Sequence, residues 1–403
     1  MKDIRAEGEE RAVFRRRVFY LPGYDPFLPR RYRELYRKEG AAQAALSGYE
    51  LTLRGKGPFG WHVTTETAGR LAEAEVEVLV WSDIVKDSMA GGIVATYGQL
   101  VRTAWVYLAS GALFRLMWLR KGPVIAALYP VGMLVLQALV AVLAGWLAGA
   151  LIGGVAGWVV GAVVAGLVVR GFRRLDNRFF AYYLMHDYAF TAAWGGANPP
   201  AMEARLAAFG ARIRAALAED WDEVLVVGHS SGAHLAVHVL ADLIREGVPR
   251  SPALAFLSLG QVVPMVSFLP RATRLRADLH YLSARDELVW VDVTAPGDGC
   301  AFALCDPVAV SGVAPEGKRW PLVVSAAFTQ TLRVETWKRL RWRFFRLHFQ
   351  YLCAFDNLAG TASDFDYFQI TAGPDPLSRR YAGRAPSRSR IDRAVSPYTS
   401  MAE

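Results

Sequence analysis

The sequence predicts an α/β chain: a mostly parallel sheet with flanking helices, opened by an inserted pair of long apolar helices. Three observations predict it. The stretch Glu223-Val-Leu-Val-Val-Gly-His-Ser-Ser-Gly-Ala-His234 reads as a buried strand, a sharp turn with Ser230 at its apex, and a helix leaving the turn. Other short apolar runs, Val13 to Leu21, Ala253 to Leu259 and Leu288 to Val293, are separated by segments with helical spacing. From Gly122 to Val169 there is not one charged residue.

Taken in order, residues 1–12 form a charged lead-in with no apolar core, so Met1 to Arg17 is not expected to be a signal peptide. Val13 to Leu21 is a strand that ends in Leu21-Pro22-Gly23-Tyr24-Asp25-Pro26. A charged amphipathic helix is expected over Arg30 to Leu46, and short paired strands over Tyr49 to Arg54 and Trp61 to Thr65. Thr67 to Ala74 reads as helical, and Val76 to Trp81 as a further strand.

The composition then changes. As helix, the uncharged run would extend about 72 Å, against roughly 30 Å for one bilayer crossing. Two crossings, about 123–145 and 149–169, fit this length. Gly145, Gly149, Gly153, Gly157 and Gly161 recur every four residues, a spacing that lets two helix backbones approach closely. Arg115, Arg120 and Lys121 precede the pair, and Arg170, Arg173, Arg174 and Arg178 follow it, so both flanks are expected in the cytoplasm. Ile93 to Trp118 is also apolar but carries Arg102 and Arg115, and reads as an interfacial helix or a poorer third span.

Beyond the hairpin, Phe179 to Trp194 is aromatic and expected at the membrane edge or over a site. Ala201 to Glu219 is an amphipathic helix with Met202, Leu206, Phe209, Ile213 and Leu217 on one face. Ala272 to Ala284 reads as helix, Pro321 to Phe328 as the last strand, and Arg333 to Phe355 as one long basic helix. From Ser378 the Arg/Ser/Pro-rich tail resembles disorder. The divisions expected are 1–92 and 179–377 for the two parts of the sheet domain, 93–178 for the membrane insertion and 378–403 for the tail.

Composition narrows the function. A 53% hydrophobic content is high for a soluble chain of 403 residues and agrees with a membrane segment. The +9 charge lies beside the apolar runs and no nucleic-acid motif accompanies it, so a membrane surface is the expected partner and nucleic acid is not. Cys300, Cys305 and Cys353 form no metal-ligand pattern, and their odd number favours a reducing compartment. No metal or cofactor is expected.

Glycines two residues either side of Ser230 let the turn close and aim the following helix N-terminus at the hydroxyl. A serine nucleophile requires a base and a carboxylate that orients it. Among seven histidines, His229 is too near in sequence, His234 and His238 sit on the departing helix, and His62, His186 and His280 come too early. His348, in Arg346-Leu-His-Phe-Gln-Tyr351 after the last strand, is the candidate base. Asp298, in Thr294-Ala-Pro-Gly-Asp-Gly299, is the candidate acid, with Asp292 and Asp286 as alternatives.

The Gly-His-Ser-Ser-Gly elbow and the His-Phe-Gln-Tyr sequence resemble the α/β-hydrolase superfamily, in particular its lipase branch, over about residues 13–84 and 179–372. The resemblance implies an α/β-hydrolase-like fold with Ser230 as nucleophile, His348 as base and Asp298 as acid. It implies an oxyanion hole from the Ser231 N–H and a donor near Gly23 or Tyr24. It does not cover the hairpin, which stands where a lid is often inserted. The expected activity is cleavage of a lipid or acyl ester at a membrane, with the hydrolase domain and both termini cytoplasmic. A catalytically silent scaffold and an acyltransferase remain open.

Overall fold

The computed structural model describes residues 13–359 and 363–402; the lead-in expected over residues 1–12 lies outside the described residues. Eight strands form one sheet in the order β2-β3-β4-β1-β5-β6-β7-β8. They are β1 (Val13–Leu21), β2 (Glu50–Lys56), β3 (Gly60–Thr67), β4 (Arg70–Val78), β5 (Glu223–His229), β6 (Ala253–Leu259), β7 (Leu288–Thr294) and β8 (Leu322–Ser325). β4, β1 and β5 to β8 run parallel, while β3 is antiparallel to both β2 and β4.

A parallel sheet is covered on both faces, and its alternating side chains feed two cores. Leu225 and Val227 of β5 face a core that includes Tyr32 and Tyr36 of the helix Pro29–Ser47. Val224 and Val226 face the other, with Leu235 and Val239 of the helix Gly232–Arg245. The chain therefore leaves β1 toward one face and β5 toward the other. Where neighbouring strands part in this way, their carboxyl ends frame a crevice. The loop after β1 and the Ser230 turn after β5 flank that crevice.

β1 and β5 are locked together beneath it. Arg16 and Glu223, each 1% exposed, form an ion pair at 2.5 Å. The Arg16 guanidinium also donates to the carbonyls of Gly373 (2.8 Å) and Asp375 (2.6 Å), and Glu223 accepts from the Leu377 N–H (2.7 Å).

The structure departs from the sequence expectations at several elements. Residues 70–78 form β4, with a turn at Ala68 and Gly69, rather than the end of a helix followed by a strand at Val76. Ala72, Ala74, Val76 and Val78 point inward at every second position, and the intervening glutamates point outward. Ala and Glu favour helix intrinsically, but pairing on both sides of the strand prevails. The basic segment after β8 is three short pieces, Val334–Leu340, Phe344–His348 and Gln350–Leu352, not one helix. The break brings Leu340, Leu347 and Tyr351 into the core together. The tail from Ser378 is ordered, not disordered: Ile391 exchanges backbone bonds with Leu304 and Asp306, and the Val395 N–H donates to Val310.

Between β4 and the helix Pro200–Leu217 lie the inserted helices. Ile93–Ala109 and Ala112–Leu119 are separated at Gly111, whose φ of 71° ends the first. Then come Lys121–Ile152 and Gly154–Arg174, two helices long and apolar enough to cross a membrane. They extend beyond the expected 123–145 and 149–169, and the turn lies at Gly153 rather than near residue 147. Leu151, Val155 and Trp158 at the hairpin tip are more than 80% exposed, so no described residue covers them.

The glycine spacing does what the sequence suggested. A Cβ at Gly157 would stand 2.4 Å from the Gly149 carbonyl oxygen, and one at Gly161 would stand 2.7 Å from that of Gly145. Gly157→Leu is therefore expected to force the helices apart and cost about 1–3 kcal/mol, as overpacking does. Gly166→Leu, at a position with nothing within 4 Å, should be neutral. Thermal unfolding of the two variants in detergent checks this, and equal melting temperatures would refute the tight pairing.

Candidate active site

The turn after β5 places Ser230 at φ 56°, in the left-handed region that a serine adopts only under constraint, at a cost of about 1–3 kcal/mol. Its N–H donates to the Leu259 carbonyl at 2.9 Å, and its own carbonyl accepts from the Ala233 N–H at 3.1 Å. The flanking glycines are sterically required. A Cβ at Gly232 would meet the Leu21 carbonyl oxygen at 2.1 Å, and one at Gly228 would meet the Ala233 Cα at 2.7 Å.

Across the crevice, Gly23 lies directly against the serine: a Cβ there would sit 2.9 Å from Ser230 Cβ and 3.4 Å from its Oγ. Trp81 Nε1 donates to the Pro22 carbonyl at 3.0 Å and holds this loop. Among the described residues, the backbone N–H groups of Gly23, Tyr24 and Ser231 have no acceptor. Unpaired donors beside a nucleophile are what an oxyanion hole requires.

His348 reaches the same cavity from the end of its short helix. Its Nδ1 is 2.7 Å from Asp298 Oδ2, and both side chains are buried. Asp298 stands in the loop after β7 and also accepts from the Tyr351 hydroxyl (3.1 Å) and the Cys300 N–H (2.9 Å). Burial pulls its carboxyl upward, but the His348 charge and these hydrogen bonds together hold it below its ordinary value. Asp298 is thus an ionised carboxylate that fixes the ring with its proton on Nδ1. Nε2 is left free to accept a proton.

Of the six site residues expected from the sequence, Ser230, Ser231, Gly23, Tyr24 and His348 line one cavity of about 80 Å³, and Asp298 stands behind His348. The Ser230 hydroxyl has no hydrogen-bond partner among the described residues, so the serine–histidine bond is not formed in this structure. Such bonds are often long before substrate binds. The alternative acids lie elsewhere. Asp292 is buried within β7, accepts from Ser258 Oγ at 2.6 Å, and burial pushes it up to about 8. Asp286 is on the surface 3.7 Å from Arg250.

The structure also reveals partners that sequence order concealed. His229 is fully buried, and its Nε2–H donates to the His348 carbonyl at 3.0 Å. Burial, and after it the neighbouring His348 charge, push the His229 imidazole down to about 3, so it stays neutral and serves as a fixed donor. The helix Ala181–Ala193, which follows the hairpin, forms one wall of the cavity with Tyr183, Asp187 and Tyr188. Tyr183 donates its hydroxyl to the Tyr24 carbonyl and so ties this wall to the loop after β1. Pro123 of the first hairpin helix lines the cavity as well.

Asp298, Cys300 and His348 present donor atoms within 4.8 Å of one another. Burial pushes the Cys300 thiol well up, which keeps it protonated, and Asp298 and His348 already bond each other. The cluster therefore fits a hydrogen-bonded relay better than a cation.

No family model, curated protein or solved structure matches this chain.

Proposed function

We propose that the chain is a membrane-anchored serine hydrolase that cleaves a carboxylic ester of a lipid or acyl group. The observation that carries this reading is the convergence of a strained Ser230 and a buried His348–Asp298 pair on one cavity. The order of the three, after β5, β7 and β8, is that of α/β-hydrolases.

In this reading Ser230 Oγ attacks the ester carbonyl while His348 Nε2 takes its proton. The oxyanion is received by the N–H groups of Ser231 and of Gly23 or Tyr24. His348 then gives its proton to the departing alcohol, leaving an acyl-serine. Water, deprotonated by the same ring, releases the acid and regenerates Ser230. Asp298 stays ionised throughout and stabilises the imidazolium.

The lipid part of the proposal rests on the insertion. One wall of the cavity follows directly from the hairpin, and Pro123 of the hairpin itself reaches the cavity. Trp342 and Phe344 are exposed among Arg339, Arg341, Arg343 and Arg346, on the segment that carries His348. Apolar and cationic side chains together suit an anionic membrane surface. The basic flanks of the hairpin support a cytoplasmic side for that surface.

The test is a fluorophosphonate probe applied to the intact protein in membranes. Labelling is expected, and it should vanish in Ser230→Ala. No labelling, or labelling that survives the substitution, would leave a silent scaffold. Ester product formed on adding an alcohol would identify acyl transfer.

A further inference from the structure

The cavity holds one polar group that the proposed mechanism leaves unused. Asp187, on the helix Ala181–Ala193, lines it opposite the Ser230 turn. No described residue donates a hydrogen bond to its carboxyl or pairs with it. The contrast with Asp25 is informative. That second cavity carboxyl is already satisfied by the Tyr32 hydroxyl at 2.6 Å and the Phe27 N–H at 2.9 Å.

The surroundings of Asp187 are uniform in character. Among the described residues lining the cavity there is no lysine or arginine. The rings instead form a continuous wall: Tyr24 lies 6.3 Å from Tyr183, Tyr183 5.9 Å from Phe345, and Phe345 5.3 Å from Phe349. Crowding by protein atoms raises the Asp187 carboxyl to about 7, although a positive charge on nearby His348 draws it down. Among the described residues no lysine or arginine pairs with it.

A carboxyl and several aromatic rings, with no lysine or arginine among the described lining residues, suit a positively charged group. The ring quadrupoles attract a cation, and the carboxylate supplies the opposite charge. An anionic group beside Asp187 would meet two carboxyls and no lysine or arginine among the described lining residues. A neutral apolar group would leave Asp187 unpaired. Resting on the hydrolase reading above, we propose that Asp187 is a specificity-determining residue that binds an ammonium-bearing part of the substrate beside Ser230.

The test compares two alcohols of the same shape, choline and its uncharged isostere 3,3-dimethylbutanol, as protectants of Ser230 against the fluorophosphonate probe. In the intact protein choline should slow labelling at lower concentration than the isostere. Asp187→Asn should weaken protection by choline about tenfold, the size of one Coulombic contact in a partly desolvated site. It should leave protection by the isostere within twofold. Asp187→Glu keeps the charge and should retain much of the choline effect. Equal protection by the two alcohols in the unsubstituted protein would overturn the proposal, as would an equal loss of both in Asp187→Asn. Neither result touches the nucleophile, since labelling persists. Complete absence of labelling would instead overturn the hydrolase reading, and this inference with it.

Discussion

Asp298→Asn is expected to lower turnover of a soluble short-chain ester by on the order of 10⁴-fold with the fold intact. The reason lies in one proton. In the structure His348 Nδ1 donates to Asp298 Oδ2, which leaves on Nε2 the lone pair that the proposed mechanism assigns to the Ser230 proton. An asparagine can turn its amide NH₂ toward Nδ1 and stabilise the opposite tautomer, with the proton on Nε2. Asp292→Asn and Asp286→Asn are the controls, and both should stay within about twofold of the parent. Asp292 is already protonated at neutral pH, because burial pushes it up to about 8, and an amide resembles that form. Asp286 is exposed, beside Arg250, and does not line the cavity. Steady-state rates for the three variants decide the matter. Full activity in Asp298→Asn, or a loss confined to Asp292→Asn, would move the acid elsewhere.

Arg16→Met is expected to cost about 3–5 kcal/mol of stability, the largest loss anticipated from a single substitution outside the site. Arg16 and Glu223 are each almost wholly buried, and their pairing joins β1 to β5. Without the guanidinium, Glu223 would remain as a buried charge, and the Gly373 and Asp375 carbonyls would lose their donors. Arg16→Met combined with Glu223→Leu should recover a large part of the loss, because apolar pairs of similar volume often replace such bridges at little cost. Urea unfolding of the single and double variants in one detergent measures both steps. A single-variant loss below about 1 kcal/mol would place the pair among the weak surface bridges.

The legible parts of this chain were those encoded by local chemistry. The Ser230 turn is written in contiguous residues whose glycines the backbone demands, and Asp298 and His348 follow from their positions after successive strands. The hairpin is legible for a similar reason, since a long uncharged run has few other uses. Less accessible were features decided by distant neighbours. β4 has a helix-favouring composition and becomes a strand because β1 and β3 pair with it. The tail has a disordered composition, yet Ile391 and Val395 find backbone partners around residues 304–310. His229 stands next to Ser230 in the sequence, yet its partner is the carbonyl of His348, far along the chain. Asp187 sits in an unremarkable helical sequence, and only the fold shows that its carboxyl lacks a partner.

The position of β1 bears on how the chain is made. One edge of β1 pairs with β4, which follows soon after it, but the other must wait for β5, which begins only at Glu223. All of the hairpin emerges from the ribosome in that interval. While the two long apolar helices are being made, the β5 edge of β1 stays open and Arg16 has yet to meet Glu223. Arrival of β5 closes that edge, pairs the arginine and, a few residues later, forms the Ser230 turn. The Ser230 turn therefore forms only after the two long apolar helices have been made, and its backbone bond to Leu259 waits for β6.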